Sequence, residues 1–206
     1  MTEHANKYRV WNLSLGTDEV CSLDEFSELA NELDNLQERF KVSFVISAGN
    51  YRQLPLLDYP RTGAQQDTGR ITAPADSVLG ITVGAISHVD FRQSGPTTDG
   101  SSVHGIRSLT DTGIGEDLGT SFAAPLVSRT LAQIYHDITP SPSPVLARAL
   151  LTHHARDPRS GLRVPDGEEN YLGFGLPATV PYCLECTPHS ATLVFDDVLR
   201  PGNFLE

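Results

Sequence analysis

The sequence predicts an α/β fold in which a parallel sheet is flanked by helices. Three observations lead there. Residues 9–16 read as an apolar strand running into a glycine turn, residues 22–40 carry a helical apolar stripe, and Val42 to Ile46 is a β-branched and aromatic run typical of a core strand. Two strands joined by a helix over so short a stretch form a βαβ unit on a parallel sheet, with a right-handed crossover.

Each element has a local reason. Ser22 is placed to cap the first helix, with Glu25 three residues on completing a capping box. Phe26, Leu29, Ala30, Leu33, Leu36 and Phe40 then repeat at helical spacing, and Glu28, Glu32 and Asp34 fall on the solvated face. Residues 51–77, rich in Gly, Pro, Gln and Asp, read as a long surface connection, and 78–86 return as a strand. Residues 92–119 show no period and read as a long loop of the functional or disordered kind. Helices are expected at about 120–136 and at 143–154, where Pro144 occupies the first helical position and His153 and His154 read as a solvated helix end. A last strand is expected at 191–195. This divides the chain into a main domain over 1–180 and the start of a C-terminal β-rich extension over 181–206.

Composition narrows the function. At 206 residues the chain suits one sizeable domain, and 39% hydrophobic with 20% charged residues is ordinary for a globular protein. A net charge of -11 disfavours nucleic acid and anionic membranes as partners and leaves cationic peptides open. No apolar run is long enough to span a bilayer, and the N-terminus has neither the basic start nor the apolar core of a signal peptide. Three cysteines are poor material for a disulfide framework, so a cytoplasmic location is expected. Cys183, Cys186 and His189 offer three zinc ligands where a closed site needs four, and no metal is assigned.

The chemistry centres on Gly119-Thr120-Ser121-Phe122-Ala123-Ala124-Pro125, where the long loop becomes a helix. A serine there presents its hydroxyl at a helix N-terminus, whose unpaired N–H groups favour developing negative charge. Taken alone, a serine at a helix start is far more often a simple cap. Pro125 is expected to be tolerated because the first turn donates no intrahelical bonds.

Other segments join it. Val45-Ile46-Ser47-Ala48-Gly49-Asn50, Asn12-Leu13-Ser14-Leu15-Gly16, Ala73-Pro74-Ala75 with the 78–85 strand, and Gly173-Phe174-Gly175-Leu176-Pro177 together resemble, in order, the motifs of the subtilase (subtilisin-like serine protease) family over roughly residues 9–180. The resemblance implies a subtilisin-like fold and peptide hydrolysis through an acyl-serine, without a cofactor. Ser121 would be the nucleophile. Asn50 would donate its amide to the oxyanion, as would the Ser121 N–H. Ser14, Leu15 and Gly16 would pair with the backbone of a peptide or protein substrate, and Gly49 and Thr120 would line its site.

The pattern also departs from the family. A serine needs a general base oriented by a carboxylate, and in subtilases the Asp and His motifs precede the nucleophile in the order Asp, His, Ser. The eleven residues before Asn12 hold neither an Asp-Thr-Gly nor a His-Gly-Thr, and His4 lies in a polar stretch. Asp67-Thr68-Gly69, Asp111-Thr112-Gly113 and His104-Gly105 imitate those motifs after Asn50, where turn chemistry accounts for Asp-Thr-Gly. Phe91 to Pro96 resembles a family turn, but the strand that should follow it is missing. The C-terminal half of the catalytic domain is therefore what the sequence carries. Three readings stay open: an endopeptidase completed by a complementary chain or further sequence supplying Asp and His, a catalytically inactive interaction or scaffold module, and an unrelated hydrolase. Asn12-Leu13-Ser14 also fits a glycosylation sequon, which a buried strand would hide.

Overall fold

The computed structural model describes residues 3–50, 70–86, 106–117, 119–158, 160–184, 186–194, 196–197 and 201–202. Two compact units emerge, one as far as Arg129 and one from Thr130 onward.

The first unit is built on a parallel sheet of order β1-β2-β3, with β1 at Val10–Leu13, β2 at Ser43–Ser47 and β3 at Ile81–Val83. Val10 lies opposite Ser43 and Leu13 opposite Ile46, while Val45 faces Ile81 and Ser47 faces Val83. The predicted α/β class with helices on a parallel sheet is therefore what the chain adopts. Every residue of β2 is buried, as a central parallel strand covered on both faces requires. Phe44, Ile46, Val42, Leu33, Ala5 and Ala75 form a core against which Trp11, Leu13, Leu36 and Phe40 pack. β1 is less buried than its sequence suggested, and Asn12 is exposed rather than hidden.

Helix α1 spans Glu28–Phe40, its cap at Ser27 lying five residues later than the Ser22 box implied. Ser22 Oγ instead accepts from the Asp24 N–H in a local turn. Ser27 is the N-cap: its Oγ accepts from Ala30 N, and its own N–H and hydroxyl donate to Asp76 Oδ2 and Oδ1 at 2.6 and 2.8 Å. A cap held by a carboxylate far along the chain outcompetes a purely local box, and Phe26 and Leu29 are left exposed. Partial burial pushes the Asp76 carboxyl upward, but the Ser27 bonds outweigh it and hold its pKa below the ordinary value.

Asp34 is a clamp rather than a solvated charge. It accepts from Ser77 Oγ at 2.5 Å and from the Val78 and Leu79 N–H groups at 3.0 Å. Those bonds fold residues 78–80 into a turn, which is why β3 is shorter than the predicted strand. The connection read as surface ends in a buried stretch: Thr72, Ala73 and Ala75 are enclosed, and Ala73 exchanges backbone bonds with Thr17 and Glu19.

A second correction concerns residues 106–117. Instead of loop they form a hairpin of β4, Ile106–Thr110, and β5, Gly113–Asp117, turning at Asp111 and Thr112. The Asp-Thr-Gly there is turn chemistry, as expected.

Helix α2 runs over Thr120–Asp137, one residue past its expected end. Pro125 is its sixth residue, beyond the leading turn, so the proposed reason for tolerating it fails. In the second unit α3 spans Pro144–His153 with Pro144 at its first position, as the sequence predicted, and Ser143 Oγ caps it by accepting from Leu146 N. Short helices follow at Glu169–Leu172 (α4) and Val180–Cys183 (α5). Gly175 has φ 97° and lies where a side chain would strike the Arg156 carbonyl, so the glycine of that motif is required sterically. The tail strand is only β7, Ser190–Ala191, paired antiparallel with β6, Cys186–Thr187. Residues 192–194 are not strand, and Phe195 lies outside the described residues. No helix of the described residues is long and apolar enough to cross a membrane.

Candidate active site

Ser121 is the second residue of α2, directly after Thr120. Its N–H belongs to the leading amides that have no intrahelical acceptor, at the positive end of the helix dipole. The other half of the site is the turn that leaves β2. Asn50 Oδ1 accepts from the Thr120 N–H at 2.9 Å and lies 3.3 Å from its hydroxyl. Thr120 Oγ1 also accepts from Gly49 N and donates to Gly49 O, both at 3.2 Å. Thr120, itself buried, thus locks Gly49-Asn50 onto the start of α2. Asn50 Oδ1 is thereby committed to the Thr120 amide.

Glycines permit this closeness. A Cβ on Gly119 would stand 3.2 Å from both Asn50 side-chain polar atoms. Gly49 has φ 105°, and the Thr72 side chain fills the space that its Cβ would take. A Cβ on Gly16 would lie 3.3 Å from the same Thr72 Oγ1. That hydroxyl is buried with no hydrogen-bond partner among the described residues.

The Ser14-Leu15-Gly16 segment meets Ser121 directly. Ser14 Oγ donates to the Ser121 carbonyl at 2.8 Å, and Ser121 Oγ donates to the Ser14 carbonyl at 3.4 Å. Leu15 O accepts from Ser47 Oγ at 3.2 Å, which fixes the segment to β2, while the Leu15 side chain is exposed. All seven residues singled out in the sequence, Ser14, Leu15, Gly16, Gly49, Asn50, Thr120 and Ser121, therefore lie in the first unit, around the start of α2 and the ends of β1 and β2.

No carboxylate or imidazole joins them among the described residues. His4 sits beside Tyr8, ring centroids 6.3 Å apart, and His136 is in the last turn of α2. Asp67, His104 and the 91–96 turn lie outside the described residues. Cys183 is buried in α5, and burial pushes its thiol pKa up; the Cys186 side chain is outside the described set. Sequence reading missed Asn12, Thr72 and Ser128, whose contacts depend on partners distant along the chain.

A profile described as the Subtilase family matches residues 1–175. No curated protein sequence matches the chain. Among solved structures, it is similar to the patellamide maturation protease PatA, at 22% identity and TM-score 0.52, over 86% of this chain and 62% of that one. The prenylagaramide maturation protease PagA matches at 18% identity and TM-score 0.54, over 86% and 61% respectively. The MycP3 protease of a type VII (ESX-3) secretion system matches at 20% and 0.51, over 84% and 53%. The chain thus spans between half and two thirds of the length of these structures. With the profile running from the first residue through the Gly-Phe-Gly segment, the chain belongs to the subtilase family.

Proposed function

We propose that the chain supplies the nucleophile and oxyanion half of a serine endopeptidase, with Asp and His contributed by a complementary polypeptide segment. Ser121 Oγ attacks a peptide carbonyl carbon, and its proton passes to the supplied imidazole. The carbonyl oxygen gains the electron pair and is held by Asn50 Nδ2 and the Ser121 N–H. Collapse expels the amine with that proton and leaves an acyl-serine for water to hydrolyse. Substrate backbone aligns along Ser14-Leu15-Gly16, with Gly49 and Thr120 beside it. The observation that carries the reading is the 2.9 Å bond from Thr120 N to Asn50 Oδ1, because it orients the amide one residue before the nucleophile. Preorganised donors of this kind are worth several kcal/mol of barrier, about 3 per side-chain donor.

The open flank of β1 supports the complementary segment. Among the described residues, β1 pairs only with β2, leaving an edge on which a further strand can add. The peptidase part is taken through residue 180, with the extension starting at 181. The scaffold reading draws on one contact, the Ser121 hydroxyl resting on the Ser14 carbonyl in place of a base.

A fluorophosphonate probe tests the choice. The chain alone is expected not to label appreciably, and a subtilase N-terminal segment bearing Asp-Thr-Gly and His-Gly-Thr is expected to restore labelling that Ser121→Ala abolishes. Rapid labelling of the chain alone would overturn the need for a supplied base. Binding of the segment without labelling would favour the scaffold.

A further inference from the structure

Residue 125 in α2 is the one whose N–H would reach the Ser121 carbonyl in an α-helix, and proline has none. A pyrrolidine ring at that position also crowds the carbonyl four residues before it. An acceptor in the nucleophile's own peptide unit is thereby deprived of its ordinary donor. The Ser14 hydroxyl stands where the missing amide would have served, donating to Ser121 O at 2.8 Å from 107 residues away. Its proton is directed there by Asn12, whose Nδ2 donates to Ser14 Oγ at 2.8 Å and so occupies the acceptor side of the hydroxyl. Asn12 is held in turn by Ser128, two turns along α2 from the nucleophile, with Ser128 Oγ 3.0 Å from both Asn12 Oδ1 and the Ala124 carbonyl. The amide orientation that gives Ser14 a donor is the one that gives Ser128 an acceptor.

We infer that Asn12, the Ser14 hydroxyl and Ser128 are positioning residues for Ser121: together they replace the hydrogen bond that Pro125 removes, and pin the nucleophile turn of α2 to the end of β1. None of the three acts on substrate through these side chains. Ser14 thus has two separate duties, its backbone toward a peptide and its hydroxyl toward the nucleophile's peptide unit. A strand that aligns substrate and a helix that carries the nucleophile are then held in register by one hydroxyl. The inference rests on the reading of Ser121 as nucleophile for its meaning, while its test needs no peptidase activity, so either can fail without the other.

The test is amide hydrogen exchange by NMR on the full chain, with the Ser121 carbonyl 13C resonance as the local signature. Ser14→Ala is expected to speed exchange across Phe122 to Ala124 by about fivefold, the worth of one ordinary hydrogen bond. It should also shift the Ser121 carbonyl resonance. Ser14→Thr keeps the hydroxyl and should stay within roughly twofold of the parent. The decisive arm is Pro125→Ala, which restores the N–H: on that background Ser14→Ala should change exchange by less than roughly twofold. Asn12→Ala, the milder change, should move the carbonyl resonance in the same direction should Ser14→Ala prevent folding. An unmoved carbonyl resonance in Asn12→Ala, or an equal Ser14→Ala effect with and without Pro125, overturns the inference.

Discussion

β1 and β2 are neighbours in one sheet, in matched register, yet they serve different ends. β2 is buried throughout; Phe44, Val45 and Ile46 fill the core, and of its side chains Ser47 reaches out to hold the Leu15 carbonyl. β1 gives up part of that burial: Asn12 is exposed and hydrogen-bonded to Ser128, and Ser14 just beyond the strand bonds the start of α2 at Ser121. The central strand thus supplies rigidity, and the edge strand spends its side chains on alignment. Both end at a glycine beside Thr72, Gly16 after β1 and Gly49 after β2. The difference between the strands is open to direct attack.

The largest effect is expected in the core. Ile46 is fully buried, so Ile46→Ala should cost about 2–5 kcal/mol, whereas Leu13→Ala in half-buried β1 should cost roughly 1–2 kcal/mol. Urea midpoints of the two variants measure this, and equal losses would show that β1 carries as much core as its neighbour. The glycines give the next contrast. Gly49→Ala combines a φ of 105° with a clash against Thr72 and should lose about 2–4 kcal/mol. Gly16→Ala meets only a tight contact with the Thr72 hydroxyl and should lose about 1 kcal/mol. The reverse order would mean that the β1 end, not the β2 end, is the constrained one.

How far the sequence discloses this depends on where each residue's partners lie. β2, α2 and α3 are legible because periodicity, a proline at the first position and adjacent caps are all local. Asn50 and Ser121 are legible because their motifs are contiguous. The start of α1 is not, since Ser27 is chosen by Asp76, 49 residues away. Nor is the Ser14 hydroxyl's role, since its partners are two residues away on one side and 107 on the other. The β4–β5 hairpin hides because Gly, Asp and Thr dilute the alternation, and the apolar cross-strand pair Leu109 and Ile114 is exposed rather than part of a core.

The helix between the two strands offers a smaller effect with a pH signature. Ser27→Ala should remove about 1 kcal/mol by loss of the cap. The Asp76 carboxyl has a folded pKa below its ordinary 3.8. Its contribution is therefore complete above that value and is lost as pH falls through the lower folded pKa. The stability gap between the parent and Asp76→Asn should stay constant from neutral pH to about 5 and close below 3.8, read from urea midpoints along the titration. A gap that persists at the acid end would show that Ser27 does not depend on the ionised carboxylate.

The one expected gain in stability falls where the two strands converge. Thr72 is almost wholly enclosed, and its hydroxyl lies against both glycines without a hydrogen-bond partner among the described residues. A buried hydroxyl that has left water and gained no bond is a net cost, and valine offers nearly the same shape without it. Thr72→Val should accordingly raise stability by about 1 kcal/mol, with Gly16 and Gly49 undisturbed because the branched contour is retained. A loss of similar size would instead assign the hydroxyl a bonding partner between the ends of β1 and β2. The contrast between those strands would then have to include a polar link at their shared end.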